Sequence, residues 1–403
     1  MAVPEGVVVT GLGILSPLNP EGDREGFWTS LCAGEAAVGE VRSFDASGYP
    51  YRVAAEVPRD RLRRSGSQDA PALRMAEAAF DRALEHAGIA PGTGNPRRAG
   101  IVVGTVMGGT IAGERYLRGE CAGGEAAAGG LETYPLRAIA AGLARKTGFA
   151  GPVLTVSTAC ASGTDAIGIA SRRIASGKAD LLVAGGVDAV CEFSFSGFSA
   201  LKVMTADKVR PFSRNRTGLA LGEGAAFLVL EREGSARRRG AVMLGRIAGY
   251  ASRCDAVHLT APHREGRGLA AAAAAALCDG RCRPEEIDYV SAHGTGTLYN
   301  DWMETKAIKA ALGSHARRVA VSSVKGAVGH PFGAAGAIEA VVCLLAIRDG
   351  LVPPTVHLEE PDPECDLDFV PNRARPMAVR SALSLSAGFG GQNAALLIRW
   401  AES

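Results

Sequence analysis

Twice in this chain an apolar, β-rich run passes within a few residues into a helical stretch that opens on small side chains. Val153-Leu-Thr-Val-Ser157 leads through Thr158-Ala-Cys160 to Ala161, Ser162 and Gly163. Val319-Ala-Val-Ser-Ser323 leads through Lys325 and His330 to Gly333, Ala334, Ala335 and Gly336. Small side chains let a buried helix approach a sheet, or another helix, closely. The pattern predicts two central helices, over about 162–176 and 333–347, in a duplicated arrangement. One reactive residue then stands at the mouth of each.

The rest of the chain alternates the same two element types. β-rich segments recur at Val7–Thr10, Ala99–Gly104, Pro152–Val156, Asp180–Gly185, Ala225–Leu230, Val242–Ala251, Ile287–Ala292, Arg318–Ser322, Ala382–Leu385 and Ala394–Arg399. Several lack polar alternation, as strands buried on both faces do. Between them, Ala72 to Ala87 carries Leu73, Ala76, Phe80, Leu84 and Ala87 on one stripe, with Gly88 as its stop. Asn300 or Asp301 is expected to cap a helix over Trp302–Leu312. The fold class is therefore α/β. The charged stretch Glu231–Gly240 is either the seam between two halves, 1–240 and 241–403, or a surface loop.

Composition excludes several classes of function. A net charge of +2 over 403 residues gives no reason to expect nucleic acid or an anionic membrane as partner. No apolar run approaches the roughly 20 residues that cross a bilayer, and no signal peptide is visible at the start. Nine scattered cysteines show neither metal-ligand spacing nor a disulfide framework, which predicts a reducing cytoplasm and no metal.

A few residues carry candidate chemistry. Cys160 sits where a strand gives way to a helix, whose N-terminus favours thiolate over thiol. A lone cysteine is more often an inert hydrophobe, so context alone leaves its role open. His293 opens His-Gly-Thr-Gly-Thr297 at a strand end, where glycines allow close approach of a ligand. His330 lies between Gly329 and Pro331, just ahead of the second small-residue helix. Lys325, by composition, reads as a surface ammonium. Gly388-Phe-Gly-Gly-Gln-Asn393 is a turn able to present amides to an oxyanion.

Taken together these segments resemble the β-ketoacyl synthases of the thiolase superfamily, over essentially the whole chain. The resemblance is carried by Val7-Val-Val-Thr-Gly-Leu-Gly13, Val156-Ser-Thr-Ala-Cys-Ala-Ser-Gly163, Arg210-Pro-Phe212, Gly222-Glu-Gly224, His293-Gly-Thr-Gly-Thr297, Asn300-Asp301, Lys325, Gly329-His330, Gly333-Ala-Ala-Gly336, Gly388-Phe-Gly-Gly391 and Asn393. A Cys–His–His set is that of the elongating type; initiating synthases usually carry Cys–His–Asn. Thiolases carry a second cysteine near the C-terminus, and none follows Cys365 here. Gly249–Asp255, Ala311–Arg318, Pro353–Thr355 and Asp362–Pro371 resemble the ketosynthase-alpha subunits of bacterial type II polyketide synthases. Ser213, Leu298 and Pro331-Phe332 depart from the family pattern, and the Ser-Thr-Ala-Cys160 setting is closer to the fatty-acid version. A fatty-acid chain-elongation synthase thus stands as the alternative.

The resemblance implies a thiolase-like fold: two similar α/β halves in a layered αβαβα arrangement. It implies that Cys160 takes an acyl group from carrier-protein phosphopantetheine, with the amides of Cys160 and Phe389 as oxyanion hole. His293 and His330 would stabilise the enolate left when malonyl-carrier protein loses CO₂. Lys325 and Glu339 would hold the histidines, Asp301 and Asn393 would support them, and Phe389 would gate the site. Thr295, Thr297 and Thr260 would bind the phosphopantetheine arm. No free cofactor is implied. The implied partners are an acyl carrier protein and a chain-length-factor-like homologue in a heterodimer, or otherwise a second copy. Arg59, Arg61, Arg63 and Arg64 are either a docking patch for an acidic carrier or a solvated charged face.

Overall fold

The computed structural model describes residues 6–62, 70–90, 92, 94–121 and 130–401. All ten apolar segments become strands of one sheet: β1 Val7–Leu15, β2 Ala99–Gly104, β3 Val153–Val156, β4 Leu181–Asp188, β5 Gly224–Arg232, β6 Gly245–Cys254, β7 Tyr289–Ser291, β8 Ala320–Ser322, β9 Ser381–Gly388 and β10 Gln392–Arg399. Their order is β8-β7-β9-β10-β6-β1-β5-β4-β2-β3.

That order is one pattern used twice. Counted within its own half, each run of five lies third–second–fourth–fifth–first. The second strand runs parallel to the third and fourth, and the fourth–fifth and fifth–first pairs are antiparallel. The halves join through antiparallel β1 and β6, with Val7 opposite Ile247 and Val9 opposite Gly245. The duplication is therefore one of topology.

The main helices are α1 Pro71–Ala87, α2 Arg137–Thr147, α3 Ser162–Ala175, α4 Glu192–Ala200, α5 Arg267–Asp279, α6 Leu298–Leu312 and α7 Ala335–Asp349. α1 ends on Gly88 at φ 64, as its glycine stop predicts. α1 and α2 cover the outer side of the N-terminal half, and α5, with α6 against it, covers the C-terminal half. α3 and α7 touch each other and strands of both halves, so they form the middle layer. Residues Ala335 to Ile347 of α7 are accordingly all buried, with no polar face. Each large aliphatic side chain so buried contributes about 1.5–3 kcal/mol relative to exposure. A Cβ on Gly336 would fall 1.9 Å from the Thr164 hydroxyl, and one on Gly163 would fall 2.7 Å from the Gly333 carbonyl. These glycines are what let the central helices meet.

Two local expectations are corrected. α6 begins a turn earlier than Trp302, so neither Asn300 nor Asp301 caps it. The stretch 231–240 ends β5 and folds as a short helix, Glu233–Arg238, rather than as a free loop. No helix among the described residues is long and apolar enough to cross a membrane.

Candidate active site

Between β3 and α3 the chain turns through Ala159, whose φ of 49 places a non-glycine residue in the left-handed region. Such a conformation costs on the order of 1–3 kcal/mol. Ser162 holds it: its hydroxyl accepts from the Thr158 amide (2.9 Å) and donates to the Ala159 carbonyl (2.5 Å). Cys160 thereby stands at the head of α3, only 7% exposed. From β9 the Gly388 backbone comes against it, where a Cβ would lie 2.9 Å from the Cys160 amide nitrogen. The turn bearing Phe389 thus abuts the Cys160 main chain.

Burial pushes the Cys160 thiol up to about 12, opposed first by the Lys325 ammonium. The helix N-terminus favours the thiolate, but burial opposes it. Half a helix-dipole charge does not outweigh removal of the sulfur from water. The resting group is a thiol, and its Sγ lies 3.0 Å from Nε2 of His330.

Two independent devices place the histidines. His293 follows β7, where Glu304 on α6 accepts from its amide (2.6 Å) and from that of Gly294 (2.7 Å). His330 is clamped by main-chain bonds to the segment before β5: its amide donates to Ala220, and its carbonyl accepts from Gly222. The two rings meet edge to face with centroids 5.3 Å apart. Burial, and next the Lys325 charge, push both imidazoles well below 6.5, so both are neutral. Lys325 is 1% exposed and no surface ammonium. Its Nζ contacts Glu339 and donates to the His293 carbonyl (2.5 Å) and Nδ1 (3.3 Å).

A pocket of about 430 Å³ opens onto the three reactive side chains. Thr295, Thr297, Thr260 and Phe389 line it, and the threonine hydroxyls at 295 and 297 lie 2.8 Å apart. Leu298 and Tyr299 stand at its rim, 43% and 67% exposed. Asp301 lies behind the wall, accepting from the amides of Phe212 (2.7 Å) and Gly296 (3.3 Å). Asn393 is buried, and its amide donates to the Gly391 carbonyl, holding the Phe389 turn.

Sequence reasoning passed over Glu304 and Asp188. Buried Asp188 accepts from Thr105 and from the amides of Val106, Met107 and Gly333, so it ties the loop after β2 to the approach of α7. Burial raises Glu304 to about 8 and Asp188 to about 6. The only signal for Asp188 was an acidic residue inside an otherwise apolar run; Glu304 lies in a polar stretch and had none. Of the arginine patch, Arg59 is corrected to a structural role: its guanidinium grips buried Glu223 with two bonds, at 2.6 and 2.9 Å. Arg61 pairs with Glu21 on the surface. Arg63 and Arg64 lie outside the described residues.

The donor atoms of Cys160, His293 and His330 lie within 4.8 Å of one another, a grouping that could hold a thiophilic metal. Their wide sequence separation concealed it. Lys325 works against ligation, because it takes the Nδ1 lone pair of His293 and leaves the proton on the other nitrogen.

Comparison with known proteins matches residues 4–236 to the β-ketoacyl synthase N-terminal domain and 244–359 to its C-terminal domain. The chain is 39% identical over 419 residues to the tetracenomycin polyketide synthase ketoacyl synthase alpha subunit of Streptomyces glaucescens, covering 98% of each. It is 38% identical over 407 residues to a 3-oxoacyl-[acyl-carrier-protein] synthase 2 of Synechocystis, covering 98% of this chain and 97% of that one. Among solved structures, one is a type II PKS acyl-carrier protein in complex with its ketosynthase bound to the hexaketide (TM-score 0.92, 32% identity, 99% and 100% covered). Another is the ishigamide ketosynthase/chain length factor (TM-score 0.90, 36% identity, 99% and 100% covered).

Proposed function

The chain belongs to the β-ketoacyl synthase family, and on that premise we propose that it condenses malonyl-carrier protein with an acyl group held on Cys160, in a type II polyketide pathway. The observation that carries this is the 3.0 Å contact between Cys160 Sγ and His330 Nε2, with His293 beside them at the base of the pocket.

In the first half-reaction the thiol gives its proton to Nε2 of His330 as the sulfur attacks the acyl thioester carbonyl. Amides of Cys160 and Phe389 take the oxyanion; one such donor is worth about 3–4 kcal/mol. The carrier thiol leaves with the proton, and the acyl-enzyme remains. In the second half, malonyl thioester enters and loses CO₂. Two neutral imidazoles donate N–H to the enolate oxygen, and its carbon attacks the acyl-Cys160 carbonyl. The acyl–sulfur bond breaks, Cys160 leaves as thiolate, and a proton from solvent restores the thiol. Nδ1 of His330 meets no partner among the described residues. That ring is therefore not held to one tautomer, so Nε2 can accept in one half and donate in the other.

Thr295, Thr297 and Thr260 line the route for the phosphopantetheine arm. Phe389 gates it. Lys325 and Glu339 fix the histidine network, and Asp301 and Asn393 hold the loops behind it. The chemistry requires no metal or free cofactor. The partners are an acyl carrier protein and a chain-length-factor-like subunit, in the cytoplasm. The similarity to polyketide alpha subunits supports this over fatty-acid elongation. Incubation with carrier protein and malonyl thioester, followed by product mass, tests it. A poly-β-ketone chain is expected; absence of any condensed product overturns the reading.

A further inference from the structure

An imidazole is usually oriented by a hydrogen bond to the nitrogen that does not face the reaction. His330 departs from that arrangement. Its Nε2 faces Cys160, whereas its buried Nδ1 has no partner among the described residues. The following residue, Pro331, has no amide to offer it. What lies against the ring is Phe332, stacked at 25° with centroids 5.9 Å apart and itself 1% exposed.

Phe332 is held in an unusual way. Its φ of 46 places a bulky side chain in the left-handed region, between a proline and Gly333. The Gly333 amide is pinned at 2.7 Å by Asp188. The ring continues outward: Phe332 meets Phe198 of α4 edge-on at 5.7 Å, and Phe198 stacks on Phe389 at 5.4 Å. Four rings in contact thus run from the reactive imidazole to the pocket wall.

We infer that Phe332 is a positioning residue for His330: its ring sets the imidazole plane in place of a hydrogen bond and, through Phe198, ties that plane to the position of Phe389. The consequence for turnover rests on the condensation reading. A substitution that keeps bulk but removes the ring leaves the pocket in place and lets the imidazole turn. A swing of about 1 Å at a reacting group can cost up to roughly 10²-fold in rate.

The test is Phe332→Leu in the full-length chain, read by two assays. Cys160 alkylation by iodoacetamide at pH 8 reports the Cys160–His330 contact without substrate. CO₂ release from malonyl-carrier protein reports the enolate step. The expected result is alkylation and kcat each lowered about tenfold or more, KM within about twofold, and an unchanged melting profile. Wild-type alkylation and kcat in a folded Phe332→Leu overturn the proposal. If that variant does not fold, half-buried Phe198→Leu decides. Lowered alkylation supports the ring relay, because Phe198 acts on His330 through Phe332, and wild-type alkylation overturns it. Wild-type enzyme that is alkylated but releases no CO₂ would count against the condensation reading instead.

Discussion

Cys160 Sγ and His330 Nε2 lie 3.0 Å apart although 170 residues separate them in the chain. Because burial holds the thiol up to about 12, this contact is the route by which its proton leaves. Two consequences can be checked. Iodoacetamide should modify Cys160 at a rate that climbs steadily from pH 7 to 10; a plateau near pH 6 would mean a resting thiolate–imidazolium pair. Cys160→Ala should fold normally and carry no acyl adduct in intact-protein mass spectrometry, and an adduct that persists on the variant removes the assignment.

His293→Ala and His330→Ala should each retain some acylation at Cys160 while losing malonyl decarboxylation by about 10²–10³-fold, the effect of removing one oxyanion donor. Labelled CO₂ released near the wild-type rate from both variants would refute the enolate role.

Glu304 holds the amides of His293 and Gly294 and is raised to about 8. Between its ordinary value of 4.5 and 8 the folded chain binds a proton there that the unfolded chain does not. Stability from this group is therefore full below about 4.5 and declines as pH rises to 8. Glu304→Gln should flatten that decline in melting temperature. Glu304→Ala should destabilise by about 1–3 kcal/mol per orphaned amide and lower turnover through the loosened His293 loop. Identical pH–melting curves for wild type and Glu304→Gln would contradict the sign worked out here.

Arg59→Ala should weaken the fold rather than carrier binding, because it strips the guanidinium from Glu223, whose oxygens also accept from the amides of Val57 and Val190. Breaking a buried pair of this kind costs about 3–5 kcal/mol, and somewhat less here because Arg59 is partly exposed. Denaturant unfolding measures it. A rise in KM for acyl-carrier protein with unchanged stability would restore Arg59 to the docking patch.

Assembly separates the two product classes. Coexpression with a chain-length-factor-like homologue should yield a mixed dimer that makes the long product. Full-rate fatty acyl elongation by the chain alone, with no response to such a partner, would favour the fatty-acid reading.

The strands are legible in the sequence because their apolar runs are buried on both faces, and periodicity records burial. A segment such as Ala99–Gly104 needs no tertiary knowledge to be seen, and neither does the glycine stop of α1. Boundaries are less legible where a buried contact decides them. α6 starts at Leu298 instead of Trp302, and Asp301, one of the two expected caps, instead serves the Phe212 and Gly296 amides.

From sequence alone came the α/β class, the two small-residue helix openings, and the identity of the Cys160, His293 and His330 set through its motifs. All of these are written in contiguous residues, where local burial and turn chemistry leave a mark. Only the tertiary structure decided that the halves share one strand order, that Lys325 is buried, that Arg59 belongs to Glu223, and that Cys160 rests as a thiol. Each of those depends on which distant groups surround a side chain and how much water they exclude. Charge state and partnership are properties of that environment, and no stretch of contiguous sequence contains it.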